Sequence, residues 1–340
     1  MKNFALICCL LVIAMTSCDR NRMGRDNLLV VATDSIELEL GEPKEMYKYG
    51  DYLFVIDRKA IDNYVQVYDL KSKVFLFSFA PMGQGPGEFS SLNSLSVYNA
   101  GDAIRLSLYD FGNKIADYDF NEVMSVKENS MPINVMHVSD TGLRMYGLSK
   151  TGNGYLASGR FEDGKFVLLN DSLELIKFTG EYRKKPKPSF PENVHFMANF
   201  GSQYFSEDRR FMADCVTAAS LITLYEVKGN DLVKQWEYVL EDLDYDVEAG
   251  VVPVYKSNRG YASVSIGSKY VYAIYSGEPA MTPDFCGKEI HVFDFNTGEL
   301  VKKFMLERRS SHIVVDENKG KMYIETDFPE PVVLIYDLPI

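Results

Sequence analysis

Histidine is scarce in this chain of 340 residues, with four in all: His137, His195, His291 and His312. None stands in an H-x-H or H-E-x-x-H arrangement, which excludes a compact histidine metal motif. Cysteine is nearly as rare. Cys8, Cys9 and Cys18 crowd the amino terminus, and only Cys215 and Cys286 lie in the body. Two scattered cysteines give no zinc spacing; they could form one disulfide, but two buried strand thiols is the simpler reading. No G-x-S-x-G elbow, Walker loop, Rossmann fingerprint or EF-hand loop occurs. Carboxylates are too numerous to single out a glycosidase pair. Basic charge is in deficit, 36 Lys and Arg against 48 Asp and Glu for a net charge of -12, so nucleic acid is excluded as a partner. No apolar run approaches the roughly 20 residues of a membrane-spanning helix.

The longest apolar run, Phe4 to Met15, follows Lys2 and fits the h-region of a signal peptide. It leads into Met15-Thr16-Ser17-Cys18, which resembles a bacterial lipobox with Met in place of the usual Leu. The expected layout is a signal peptide over 1–17, a lipidated Cys18 with a polar tether over 18–27, and a folded body over 28–340. Stable anchoring requires more than one acyl chain.

What the body has in abundance is strand signal: 22 Tyr and 21 Phe, apolar alternation, and Gly/Asn punctuation. Tyr261 to Leu306 reads as four strands, SVSIG, YVYAIYSG, IHVFDF and LVKKFML. The third recurs as YVQVYDL (64–70), KIADYDF (114–120), LITLYEV (221–227), VVLIYDL (332–338) and, more weakly, YLASGRF (155–161). Gly164, Gly229 and Gly298 are expected where third strands turn into fourth ones. The repeats predict an all-β, six-bladed propeller of four-stranded antiparallel blades. Blade one is expected over 45–80, two over 92–130, three over 132–173, four over 203–240 with Trp236 on its outer strand, five over 261–306 entered through Val251–Val254, and six from 312. The last blade stops one strand short. SIELEL (35–40) alternates correctly to complete it and close the ring.

Between blades one and two stands Gly83-Gln84-Gly85-Pro86-Gly87-Glu88-Phe89. With the six repeats and the lipobox, this loop gives the chain a resemblance to the six-bladed propeller lipoproteins of TolB-like or NHL-like type found in Bacteroidetes-type bacteria. The resemblance implies the fold and export to the cell envelope, and implies no catalytic residues. The loop could bind an anion through successive N–H groups. The structural reading is preferred: three glycines and a proline carry the chain between blades, and Phe89 anchors the crossing.

Other features are weighed the same way. His137 and His312 are expected on innermost strands of opposite blades, where with His195 they could hold a divalent metal. Separate strand-end histidines are the ordinary reading, and no cofactor is assigned. The basic, Pro-rich segment 181–191 could dock an acidic partner, and the acidic segment 241–248 could hold calcium; both read first as solvated loops. The expected function is a monomeric, membrane-anchored binding or scaffold module that takes a protein, peptide or glycan at one face. The alternative is a lyase- or lactonase-type enzyme with a metal-assisted site in the channel. A channel lined by Tyr, Ser and backbone would favour binding, and converging His, Asp and Glu would favour catalysis.

Overall fold

The computed structural model describes residues 28–340 except 40, 112–113, 253–256, 281, 283–284 and 327–329, with the backbone alone at 139–140. The signal segment, Cys18 and the tether lie outside the described residues, as does part of the Val251–Val254 lead into blade five.

Two short strands come first, β1 (Leu28–Val30) and β2 (Asp34–Glu37). Blade one is β3 (Pro43–Tyr49), β4 (Tyr52–Asp57), β5 (Asn63–Asp69) and β6 (Val74–Pro81). Blade two is β7 (Leu92–Ala100), β8 (Ala103–Asp110), β9 (Lys114–Asp119) and β10 (Asn134–His137), with helix α1 (Phe120–Val126) inserted before its last strand. Blade three is β11 (Met145–Thr151), β12 (Gly154–Gly159), β13 (Phe166–Leu169) and β14 (Leu175–Thr179). Helix α2 (Glu192–Asn199) precedes blade four, made of β15 (Gly201–Phe205), β16 (Phe211–Val216), β17 (Ser220–Lys228) and β18 (Asp231–Glu241). Blade five is β19 (Tyr261–Ile266), β20 (Tyr270–Tyr275), β21 (Gly287–Asp294) and β22 (Leu300–Ser310). Blade six is β23 (His312–Asp316), β24 (Lys321–Thr326) and β25 (Val332–Asp337), completed by β2.

The ring closes as the alternation of 35–40 predicts. β2 pairs antiparallel with β25, from Asp34 opposite Ile335 to Glu37 opposite Val332. The strand β1 was not expected. It adds a parallel fifth strand to blade five, with Leu28 opposite Phe304 and Val30 opposite Leu306, and Glu307 then accepts the Ala32 N–H at 2.9 Å.

Each middle strand is sandwiched between neighbouring blades and is buried on both faces. YLFVID of β4 and GYLASG of β12 therefore read as nearly continuous apolar or small runs. Outer strands such as β18 are largely exposed. Six apolar cores fill the six blade interfaces. The one between blades six and one joins Ile36, Val333 and Ile335 to Met46, Leu53 and Val55.

The aromatic–acid ending of the repeated third strand has a physical cause. The aromatic ring (Tyr68, Tyr118, Phe293 or Tyr336) is fully buried between blades. The acid that follows organises the next turn: Asp69 accepts the N–H groups of Lys71 and Ser72, and Asp294 those of Asn296 and Thr297. Gly298 closes that last turn at φ 71°, under the ring of Trp236.

Blades two and three differ from expectation. Asp119 caps α1 by accepting the N–H of Glu122, so 120–126 folds as a helix, with Phe120 and Val123 in the core. The fourth strand of blade two is thereby delayed to β10, and blade three begins at Met145 rather than Pro132. YLASGRF is consequently a second strand, and Gly164 lies in the turn between second and third strands.

The Gly83–Phe89 loop crosses from β6 to β7 as the structural reading expects. The Gly83 N–H donates to Phe89 O at 2.9 Å and the Phe89 N–H to Pro81 O at 2.8 Å. The Glu88 carboxylate takes the Gly85 N–H at 2.9 Å, so the loop's own acid occupies the position an anion would seek. Lys114, itself buried, donates to Gly85 O at 2.8 Å and Pro86 O at 3.2 Å. Gly83 has φ 151°, and a Cβ there would collide with Glu88. Phe89 is fully buried in the core between blades one and two. Phe89→Ala should therefore lower stability by ~3–5 kcal/mol. Urea unfolding checks this, and a loss below ~1 kcal/mol would contradict the anchoring role.

Candidate functional site

The six innermost strands β3, β7, β11, β15, β19 and β23 surround the central channel. Each has one edge with no strand partner, and buried backbone groups there need other partners. Side chains from adjacent blades supply them. Between blades two and three, Asn93 donates to Tyr146 O at 3.0 Å and Ser94 to Leu148 O at 2.8 Å, and Ser96 Oγ accepts the Lys150 N–H at 3.3 Å. Between blades five and six, Ser263 and Ser265 accept the N–H groups of Ile313 and Val315 at 3.1 and 2.9 Å. The Tyr204 hydroxyl donates to Ala262 O between blades four and five at 2.5 Å, and the Tyr47 hydroxyl accepts the Leu95 N–H between blades one and two at 3.4 Å.

At the end where the inter-blade connections enter, the channel opens into a cup of about 490 Å³. All six blades contribute to its wall, which includes Asn93, Ser149, Ser158, Ser202, Gln203 and Tyr204. Toward the opposite end a space of about 110 Å³ continues. Charged ties cross it. Lys48 meets Glu207 and Asp316, each at 3.2 Å. Arg209 donates to Lys150 O at 2.9 Å and Ser96 Oγ at 2.8 Å, and its guanidinium lies 4.2 Å from the centroid of the Phe205 ring. Burial brings the Arg209 pKa down to about 9.

The acidic and histidine residues of the cup are Glu42, Glu45 and His312. Glu42 is paired with Arg58 at 2.8 Å and Lys59 at 3.0 Å. His312 Nδ1 lies 2.9 Å from Glu325 Oε2, and Glu325 is fully buried. Glu45 accepts a hydrogen bond from the Tyr47 hydroxyl. The residue is half-buried and lines both the cup and the space below it. Burial pushes its pKa up to about 7 against the pull of Lys44, His312 and Arg209.

Aromatic residues rim the cup. Tyr146 stacks on Phe111 with centroids 6.3 Å apart and an interplanar angle of 17°, and it meets Phe200 edge-on at 6.0 Å. Phe111 and Phe200 are exposed at 45% and 38%. Phe285 stands elsewhere on the wall, carried by the loop between the second and third strands of blade five.

The histidines proposed for a metal do not converge. His137 is exposed on β10, an outer strand opposite Lys114, because the inserted helix moved the blade boundary; it is not an innermost-strand residue of blade three. His195 is buried on α2, its Nδ1 3.2 Å from the Tyr245 hydroxyl, and burial lowers its pKa. Only His312 occupies an innermost strand as expected. Among the described residues no group of three or more His, Cys, Asp and Glu is arranged to hold a metal ion. His291 is buried within blade five, bonded to Tyr261 at 3.0 Å and Glu289 at 2.9 Å. Cys215 and Cys286 are both free thiols; the first is buried and the second lines the cup.

The basic and acidic segments meet each other. Arg183 pairs with Glu237 at 2.6 Å and with Asp242 at 3.4 Å, while Phe190 packs edge-on against Tyr245 at 5.1 Å. Residues 83–89 do not line the cup. The rim Tyr146–Phe200 and the Ser-x-Ser pairs at 94/96 and 263/265 were missed. The recurring S-x-S within SLSV and SVSI was a signal that could have found the latter.

Comparison with known proteins agrees with this architecture. The family model described as TolB-like 6-blade propeller-like matches residues 27–318. None of the curated proteins is a significant sequence match. Among solved structures, a Bacteroides fragilis protein described as exported is similar at 12% identity and TM-score 0.60, covering 91% of this chain and 93% of its own. A DUF4221 family member from Bacteroides vulgatus is similar at 11% identity and TM-score 0.56, covering 92% and 98%. The propeller domain of Swd1 from Myceliophteria thermophila reaches TM-score 0.54 at 12% identity, covering 91% and 99%. At such identities the likeness concerns the frame and not the ligand.

The raised acid in the cup gives a pH signature. Glu45 holds its proton more tightly in the fold than at its ordinary value of 4.5, so the folded state carries the extra proton between pH 4.5 and about 7. Stability contributed by this group must fall as pH rises through that window. Glu45→Gln should remove that fall. Thermal unfolding midpoints measured across the window check it, and parallel profiles for the two proteins would contradict it.

Proposed function

The chain belongs to the TolB-like six-bladed propeller family, and we propose that this member is an exported, lipid-anchored binding module that takes its ligand in the channel cup. The observation that carries the reading is the cup itself. It is a concave space of about 490 Å³, open at the connection face, crossed by ion pairs beyond its floor, and walled by all six blades, five of which contribute Ser, Asn, Gln or Tyr. Its size falls in the ~300–1,000 Å³ range of small-ligand sites. A closed ring can present such a wall without moving, which limits the ordering cost of binding. The partner class is a protein, peptide or glycan chain reaching into the cup. A lyase- or lactonase-type reaction with a divalent metal is the competing reading; it would have to run on Glu45 and His312, and stoichiometric metal in the purified protein would favour it.

The address follows from Met1–Cys18. Cys18 would carry the lipid and residues 18–27 the tether, with the body in the periplasm or at the cell surface and no nucleic-acid contact.

Two experiments test the reading. Cys18→Ala should abolish incorporation of labelled fatty acid and move the protein from the membrane to the soluble fraction; unchanged labelling would end the anchoring proposal. Ser202→Trp, which thrusts an indole into the cup, should remove whatever co-purifies with the full-length protein from native envelopes while leaving the unfolding midpoint near that of the parent. Undiminished capture would move the binding site away from the channel.

A further inference from the structure

We infer that the occupant of the cup is a neutral saccharide chain end, its hydroxyls bonded to the polar wall and a ring face laid on the aromatic rim. This inference rests on the cup being the binding site. It adds the chemistry of the ligand.

Three features of the wall select that class. The first is the state of the strand edges. A peptide captured by strand addition needs an unpaired edge to bond along. Here many groups on the edges facing the channel are already engaged across the blades, through Ser94 with Leu148, Asn93 with Tyr146, Tyr204 with Ala262, and Ser263 with Ile313. The second is charge. Arg58 is paired with Glu42, and Lys44 is held by Leu92 O at 3.0 Å and Asn93 Oδ1 at 2.6 Å. Glu45 is pushed toward its neutral form, and His312 faces Glu325. A cationic ligand would have to break the pairings of Glu42 and Glu325 to find a counter-charge, and an anionic one would have to draw Lys44 from its two neutral acceptors; an uncharged ligand avoids that desolvation cost.

The third feature is the rim. Phe111, Tyr146 and Phe200 form a contiguous, partly exposed aromatic group beside a wall of neutral donors and acceptors that includes Ser149, Ser158 and Ser202. A sugar ring has one face of C–H groups and a periphery of hydroxyls, so it matches an aromatic surface and a hydroxyl-lined wall together. The ion pairs beyond the floor, Lys48 with Glu207 and Asp316, favour an end of the chain over its middle.

The test is calorimetric titration of detergent-solubilised full-length protein with short cello-, xylo-, manno-, malto- and chito-oligosaccharides, with charged tetrapeptides as the comparison. At least one oligosaccharide should give a saturating isotherm. Tyr146→Ala should weaken it about tenfold, the size of one lost aromatic contact. Tyr146→Phe should retain it, Ser202→Trp should abolish it, and the peptides should give no heat. If no oligosaccharide binds while Ser202→Trp still removes envelope capture, the saccharide inference fails and the cup remains the site. Oligosaccharide binding that ignores both Tyr146→Ala and Ser202→Trp, or displacement by the peptides, also overturns it. If nothing binds and capture is insensitive to Ser202→Trp, both readings fall.

Discussion

The structure depends on one short ladder, β2 against β25. Six blades in a ring have six interfaces, and the interface between the last blade and the first exists only if the chain's two ends meet. That interface holds a core of its own, built from Ile36, Val333 and Ile335 on one side and Met46, Leu53 and Val55 on the other. Placing the closing strand at the opposite end of the sequence from the sheet it completes makes closure a long-range contact. It also leaves blade six unfinished until Asp34–Glu37 arrives. The neighbouring parallel strand β1 extends the same device by joining the start of the described chain to the outer edge of blade five.

Closure sets a second problem, which the cup answers. Bringing six innermost strands around an axis leaves six backbone edges without a sheet partner, in a space too enclosed for full hydration. Serine, asparagine and tyrosine side chains from neighbouring blades take up many of those groups. The same residues that satisfy the frame give the channel wall much of its neutral polar surface. Charged residues cross the far end in pairs, while Arg209 is held by a carbonyl, a hydroxyl and an aromatic face. The neutral polar side chains and the exposed aromatic residues thus gather at the connection face. One ion pair, Arg183 with Asp242, ties the basic segment to the acidic one.

The fold was legible in the sequence where one local rule repeats. A buried aromatic followed by an acid marks third strands in blades one, five and six, the acid capping the next turn in blades one and five, and SIELEL carried the alternation of a half-buried closing strand. Reading failed where a local signal of another kind intervened. Asp119 caps a helix directly after a perfect third strand, and the repeat cannot reveal how many residues precede the next strand. In blade three the small-residue run GYLASG has the look of a weak third strand because middle strands are buried on both faces. A three-residue strand such as β1 has no period to detect. The cup was illegible for a different reason: Glu45, Tyr146, Ser202 and His312 come from four separate blades, so no window of sequence contains the site. His137 was misplaced by the same blade-boundary error, and the idea of a shared metal rested on that position.

Closure can be measured directly by joining the ends covalently. Ser35 and Leu334 are opposed in the closing ladder on its less buried face, and opposed residues of antiparallel strands lie within the ~4.4–6.8 Å Cα separation that a disulfide accepts. A Ser35→Cys, Leu334→Cys double variant, made with Cys286→Ser to remove the accessible native thiol, should oxidise to an intramolecular disulfide in nearly all molecules and unfold at a higher temperature than its reduced form. A pair of thiols that stays reduced under mild oxidation, or links only between molecules, would mean that the ring does not close through these strands.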